Sequence, residues 1–377
     1  MKMRVSAAAA VGAALILAGC SHSNLTGLPA CGEPELAALP LDESSFSSIL
    51  PLGSLGPVSH TFPTEHHYLV LPPDPNDAGR ALAVPVYAMQ DGWIVQVDSV
   101  EHQPAGFTDY DVTLGVCSQF SVQYGHMSSL SPALQDALGS PSRCDTYTVD
   151  NQTYKRCKYR AKVPVSAGQL IGRAGGNPEQ FALDLGAKDY RREQNQFANQ
   201  GRYRAKAGDT IYAVSPFAYL TADLQVQVDP KMGWWDGVSR RTAPPIYGEI
   251  AYDVAGTAMG NWFREGEPFF PEEPHLALAK DNVDPDVYAI SAGTSMGALA
   301  GYVVRFAPQH TGVVDRAFEE ISDSALYCYP TAQAGTTTPD GRVLLRLDDA
   351  TTLEAEFQEG KSCDQALAFA EPRTFKR

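Results

Sequence analysis

The chain has 377 residues, 44% of them hydrophobic, and 44 acidic against 29 basic side chains give it a net charge of −15. So acidic a surface repels phosphate backbones, which argues against nucleic acid as a partner and against docking on anionic lipid by charge alone. The length suits two domains better than one, and 32 glycines with 27 prolines interrupt helical periodicity so often that the body is expected to be mainly β.

The N-terminus starts with Met1-Lys2-Met3-Arg4, a short basic head, and continues as an apolar run from Val5 to Ala18. That run is too short for a spanning helix and has the build of a secretory signal. Leu17-Ala18-Gly19-Cys20 closes it and resembles a bacterial lipobox, which implies cleavage before Cys20 and acylation there. Two or more acyl chains anchor a protein durably. Ser21, rather than Asp, follows the cysteine, which resembles outer-membrane sorting. Residues 1–20 are therefore expected to be a lipoprotein signal peptide. The exported chain would be lipid-anchored in the outer membrane, facing the periplasm or the cell surface. Residues 21–50 show no period of 2 or 3.6 and read as a tether.

With Cys20 spent on lipid, six cysteines remain, and an even number in an exported chain points to disulfides. Cys144 and Cys157 flank one polar loop and are the best local pair. Cys328 and Cys363 bracket an apparent β meander, and Cys31 with Cys117 follows by elimination, although sequence leaves the connectivity open. No C-x-x-C occurs, so redox catalysis and cysteine-rich zinc sites find no support.

Residues 51–225 read as the first β domain. Segments 84–95 (VPVYAMQDGWIV) and 163–174 (VPVSAGQLIGRA) match one another: each has a proline among valines, a small residue, and a glycine-bearing turn into a new apolar strand. Tyr110–Leu114, Phe120–Tyr124 and Leu183–Ala187 supply further strands, and Ser131–Leu138 has helical periodicity. Between the two matched segments lies Tyr124-Gly125-His126-Met127. Together these phrases resemble the lysostaphin-like zinc endopeptidases, whose pattern runs H-x-x-x-D, a duplicated β motif enclosing Y-x-H-L, and H-x-H. The resemblance implies an antiparallel β sandwich, with His126 as the proton-handling residue.

The same resemblance places the metal ligands at H-x-x-x-D and at the second His of H-x-H. Zinc hydrolysis needs about three protein ligands and an open position for water. Four residues beyond His60, His66 and His67 stand Thr64, Val70 and Leu71, none a carboxylate, and the H-x-H strand offers Ala182 and Asp184. The candidate metal ligands are thus His60, Glu65, His66 and Asp184. The expectation is a non-catalytic relative without a cofactor, binding peptidoglycan or an envelope partner; the alternative is an active zinc endopeptidase with a nonstandard ligand set.

Residues 240–370 read as a second β domain, an antiparallel barrel or sandwich. Its strand-like segments are Tyr247–Asp253, His275–Ala279, Val287–Ser291, Gly301–Phe306, Arg342–Leu347 and Thr352–Phe357, with a helical period over Val314–Ile321. Gly293-Thr294-Ser295-Met296-Gly297 satisfies G-x-S-x-G, but the surroundings lack the crossover helices of a nucleophile elbow, and a small-residue turn is expected. Asn261-Trp262-Phe263 reads as core.

Overall fold

The computed structural model describes residues 24–103, 105–149, 152–332 and 337–377, so Cys20 and the signal segment lie outside the described residues. The protein is mainly β, and its strands form two large antiparallel sheets and one small ribbon.

In chain order the first half comprises β1 (Ser48–Leu50), β2 (His67–Val70), β3 (Pro73–Asp74), β4 (Asp77–Ala81), β5 (Val84–Tyr87), β6 (Gly92–Gln103) and β7 (Phe107–Cys117). It continues with β8 (Phe120–Leu130), β9 (Arg143–Val149), β10 (Gln152–Val165), β11 (Leu170–Ala174), β12 (Ala182–Asp189) and β13 (Ala213–Val214). The main path of the sheet runs β1-β2-β12-β8-β7-β6-β10-β9, while β3 and β4 pair only with each other. A short helix, α1 (Pro132–Ala137), starts where Ser131 accepts a hydrogen bond from the Leu134 amide at 3.3 Å, with proline in the first turn.

The matched segments do not form separate hairpins. β5 pairs with β11, and the start of β6 pairs with the end of β10, Gly92 opposite Val165 and Ile94 opposite Val163. Each copy thus lends its two strands to the other. Proline can take part because it stands where a ladder donor is dispensable, and the β10 ladder shifts register between Arg160 and Val163.

Side chains alternate across a strand, so register sorts the residues by face. On one face the row Val97, Val112, Tyr124, Leu185, His67 is buried in the core of the first half. One residue along, on the opposite face, the row reads Lys158, Asp98, Asp111, Gly125, Asp184, Tyr68. The apolar row fixes the sheet on its core; the polar row is left to form a site.

The second half comprises β14 (Gly260–Arg264), β15 (Leu276–Lys280), β16 (Tyr288–Ala292), β17 (Val303–Phe306), β18 (Tyr327–Pro330), β19 (Gly341–Asp349), β20 (Thr352–Glu359) and β21 (Arg373–Lys376), ordered β17-β16-β15-β14-β21-β20-β19-β18. Trp262 is wholly buried and donates its indole N–H to the Ala258 carbonyl at 2.7 Å, so it is core. Tyr247–Asp253 forms no strand, and of Val314–Ile321 only Phe318–Glu320 makes a helical turn, of 3-10 type. The G-x-S-x-G segment is a kinked 3-10 turn joining β16 to β17.

Two expectations about organisation need correction. Residues 24–50 are not a free tether: Leu36, Leu41, Phe46 and Ile49 are buried in the first core, and Leu25 and Leu28 pack on Val95. Scattered leucines without a period are what a segment shows when it lies over other elements rather than forming its own. Nor do the halves have independent cores. Leu52, Phe62, Phe197, Tyr203 and Ile211 of the first half pack into the core of the second sheet.

The disulfides pair as expected, Cys31–Cys117, Cys144–Cys157 and Cys328–Cys363. No helix among the described residues is long and apolar enough to cross a membrane.

Candidate functional site

The polar face converges on His126. Between the pairs Tyr110–Met127 and Val112–Tyr124, two residues of β8, Gly125 and His126, oppose the single residue Asp111 of β7. This is a β-bulge, and it throws His126 into the left-handed region at φ 59°. The extra residue re-aims the imidazole along the face. Gly125 sits at the crowded point, where a Cβ would lie 3.1 Å from Asp184 Cβ and 3.2 Å from Asp111 Oδ1 and so press on both side chains.

Carboxylates hold the ring at both ends. His126 Nδ1–H donates to Asp109 Oδ2 at 2.8 Å, and Nε2 lies 3.5 Å from Asp184 Oδ2. Desolvation opposes charge on this imidazole, but Asp184 and Asp109 outweigh it and hold its pKa well above the ordinary histidine value. The charged form of the His126 ring is therefore favoured. The side chain stays 48% exposed, so the charge faces solvent and any ligand. Burial lifts Asp184 to about 6; His126 pulls it back and Asp109 pushes it further up.

His66 approaches the same oxygen, with Nε2 3.3 Å from Asp184 Oδ2 but without hydrogen-bond alignment, so Nε2 is buried and unpartnered among the described residues. His60 packs edge-on to it with centroids 5.5 Å apart, and Tyr68 closes the other side at 4.8 Å. Burial, and then the charge of His126, lower His60 to about 4. Burial and the neighbouring His60, His126 and Lys188 lower His66 as well. Two neutral imidazoles thus stand beside one charged one. Trp235, 40% exposed, leans on Tyr68 at 5.5 Å and forms an aromatic rim.

The structure gathers His60, His66, Asp184 and His126 as the sequence suggested, and turns Glu65 aside. Its carboxylate binds the buried Lys188 ammonium at 2.7 Å, a pair that fixes the loop leading into β2. His67 faces the core: its Nδ1–H donates to the Leu50 carbonyl at 2.9 Å and its Nε2 accepts from the Ser215 hydroxyl at 2.8 Å.

Sequence reasoning missed Asp109, Asp111 and Glu272. The first two were findable, since Asp-Tyr-Asp within a strand puts both carboxylates on one face. Glu272 was not. It comes from the second half, accepts the Phe62 amide at 3.0 Å, and is raised to about 8 by burial, with the Phe62 bond opposing and Glu65 and Glu273 adding to the rise.

The ligand pattern of the resembled family is incomplete in this chain. Val70, four residues beyond His66, and Ala182 face each other directly across β2 and β12. No cluster of three or more His, Cys, Asp or Glu side chains among the described residues is arranged to hold a metal ion. No protein-family model matches the chain, and no curated protein matches it.

Proposed function

We propose that this chain is a cell-envelope lipoprotein with a lysostaphin-like β domain that binds cell-wall material or an envelope partner without cutting it. The observation that carries this reading is the Val70–Ala182 pair. With His66 taken as the first ligand, two side chains without donors stand where a ligand carboxylate and an assisting histidine would be needed, and taking His60 or His67 instead puts Thr64 or Leu71, neither a carboxylate, in the ligand position. A second support is the setting of His126: its Nδ1–H is committed to Asp109 and Asp184 lies beside Nε2, so the ring is placed to donate hydrogen bonds. The face keeps shape, charge and hydrogen-bonding groups, which suffice for recognition. The lipid anchor at Cys20 would hold it beside the wall.

The test is sedimentation of the purified chain, lacking its lipid, with isolated cell-wall sacculi. Co-sedimentation without release of soluble wall fragments is expected, and metal analysis is expected to find no stoichiometric zinc. Absence of sedimentation, or fragment release, overturns the reading.

One observation favours a second reading, an active zinc endopeptidase with rearranged ligands. His66 Nε2 and His126 Nε2 lie 3.3 and 3.5 Å from one oxygen of Asp184, close to the ~3.3 Å that separates donors on one tetrahedral zinc. Stoichiometric zinc, lost in both His66→Ala and Asp184→Ala, would select this reading.

A further inference from the structure

The segment that follows Cys20 is fixed to the first sheet almost at once. Leu25 and Leu28 are buried with Val95 and Tyr190 and lie against Trp93. Gly115 leaves room for them, since a Cβ there would stand 2.6 Å from Leu28 Cδ1 and 3.0 Å from Leu25 Cδ2. Asn24 donates its side-chain amide to Gln96, and the Cys31–Cys117 bond closes the segment onto the end of β7. Cys20 stands four residues before Asn24. At no more than about 3.6 Å per residue, the chain between them reaches roughly 14 Å. That is about one to two Debye lengths at physiological salt. An acyl group on Cys20 thus keeps this side of the body within the surface potential of the bilayer that holds it.

The side chains around this entry point are basic. Arg160 of β10 stands opposite Gln96, and Lys158 opposite Asp98, on the face that receives Asn24. Lys162 donates to the Gly27 carbonyl at 2.9 Å, with its ammonium 5.8 Å from the centre of the Trp93 ring. Across the segment, two residues past Tyr190, stands Arg192. Arg160, Lys162 and Arg192 are exposed and Lys158 is half-buried. None of these cations is ion-paired among the described residues. The acids beside them are spent: Asp98 meets Arg156 at 3.5 Å, and Arg191 holds Asp189 at 2.8 Å and Glu33 at 3.1 Å. On a chain of net charge −15, unpaired cations gather where the lipid-bearing end leaves the fold.

We propose that this basic face seats on anionic lipid headgroups, with Lys158, Arg160, Lys162 and Arg192 meeting their phosphates. The proposal rests on the lipid anchor in the reading above and adds which side of the body meets the membrane. Net charge alone would repel the chain from such a surface. The anchor supplies proximity, and each basic side chain within the surface potential then favours one orientation.

The experiment uses the whole chain, expressed, purified from membranes with its lipid, and reconstituted into vesicles. One set is phosphatidylcholine and the other equal parts phosphatidylcholine and phosphatidylglycerol. Lysine acetylation rates are read by mass spectrometry. Lys158 and Lys162 are expected to react about fivefold more slowly on the anionic vesicles, the factor that one basic side chain contributes near such a surface. Lys361, exposed in the second half, is expected to react equally on both. The slowing is expected to vanish in high salt and in the Arg160→Glu/Arg192→Glu variant, whose folding is checked by circular dichroism. Equal rates on the two vesicles, equal slowing at Lys361, or an unaffected variant overturns the proposal. Slowing on neutral vesicles by added inorganic phosphate overturns it too, by assigning the cations to free anions. The mass of the N-terminal peptide from the same sample separates the two claims. Without acyl groups on Cys20 the anchor reading falls; with them, and with equal rates, only this proposal falls.

Discussion

Among single residues, His126 shows how one position sets the chemistry of a face. Its charge comes from Asp109 and Asp184 acting against desolvation, so removing one carboxylate should release it. Asp109→Asn is expected to lower the His126 pKa, read directly from imidazole shifts in an NMR titration. The stability effect has a definite sign. A base whose folded pKa lies above its unfolded value of about 6.5 adds stability that is full below that value and is lost as pH rises through the folded one. The cost of Asp109→Asn should therefore be larger at about pH 6 than at about pH 9 in urea unfolding. An equal cost at both would mean that Asp109 acts by packing alone. His67 makes the complementary point: identical in type and adjacent to His66, it is committed to the core by strand alternation and has no part in the site.

For strands and ribbons, the decisive features are the crosswise exchange of the matched segments and the bulge in β8. The first ties β5 to β11 and the start of β6 to the end of β10. The second gives His126 its aim. The β9–β10 ribbon stands at the edge of the sheet, where strands fray. The Cys144–Cys157 bond closes a short loop, and such a bond contributes about 3 kcal/mol in the chain-entropy account. Replacing both cysteines by serine is expected to raise amide exchange along Arg143–Val149 well above that in β7 and β8. Unchanged exchange in β9 would show that the stacked tyrosines hold the edge without the disulfide. The matched segments were legible because proline, valine and glycine impose strand and turn locally. Their exchange of partners was not, since pairing with the other copy and pairing with oneself satisfy the same local pattern.

The whole molecule behaves as two sheets with shared packing. Phe62, in the loop between His60 and His66, stacks on His275 at 5.3 Å and meets Phe263 at 5.0 Å, while its amide is held by Glu272. The second half therefore positions the histidine loop of the first. Heat unfolding is expected to be one cooperative transition, with calorimetric and van't Hoff enthalpies agreeing. Phe62→Ala is expected to cost about 3–5 kcal/mol and to perturb the His60 and His66 resonances. Two resolved transitions, or a variant that loses stability without disturbing those histidines, would show that the halves act independently.

Sequence by itself determined the mainly β character, most strand positions and that the six remaining cysteines would be bonded, and it offered His60, Glu65, His66, Asp184 and His126 as candidates. These depend on period 2, on turn residues and on a motif order that survives in one dimension. Only the tertiary structure decided that Glu65 is spent on Lys188, that residues 24–50 are packed, and that Val70 meets Ala182. It alone brought Glu272 to the site. The physical reason is that register and long-range packing choose neighbours for a side chain, and local pattern carries no record of which strand will lie alongside.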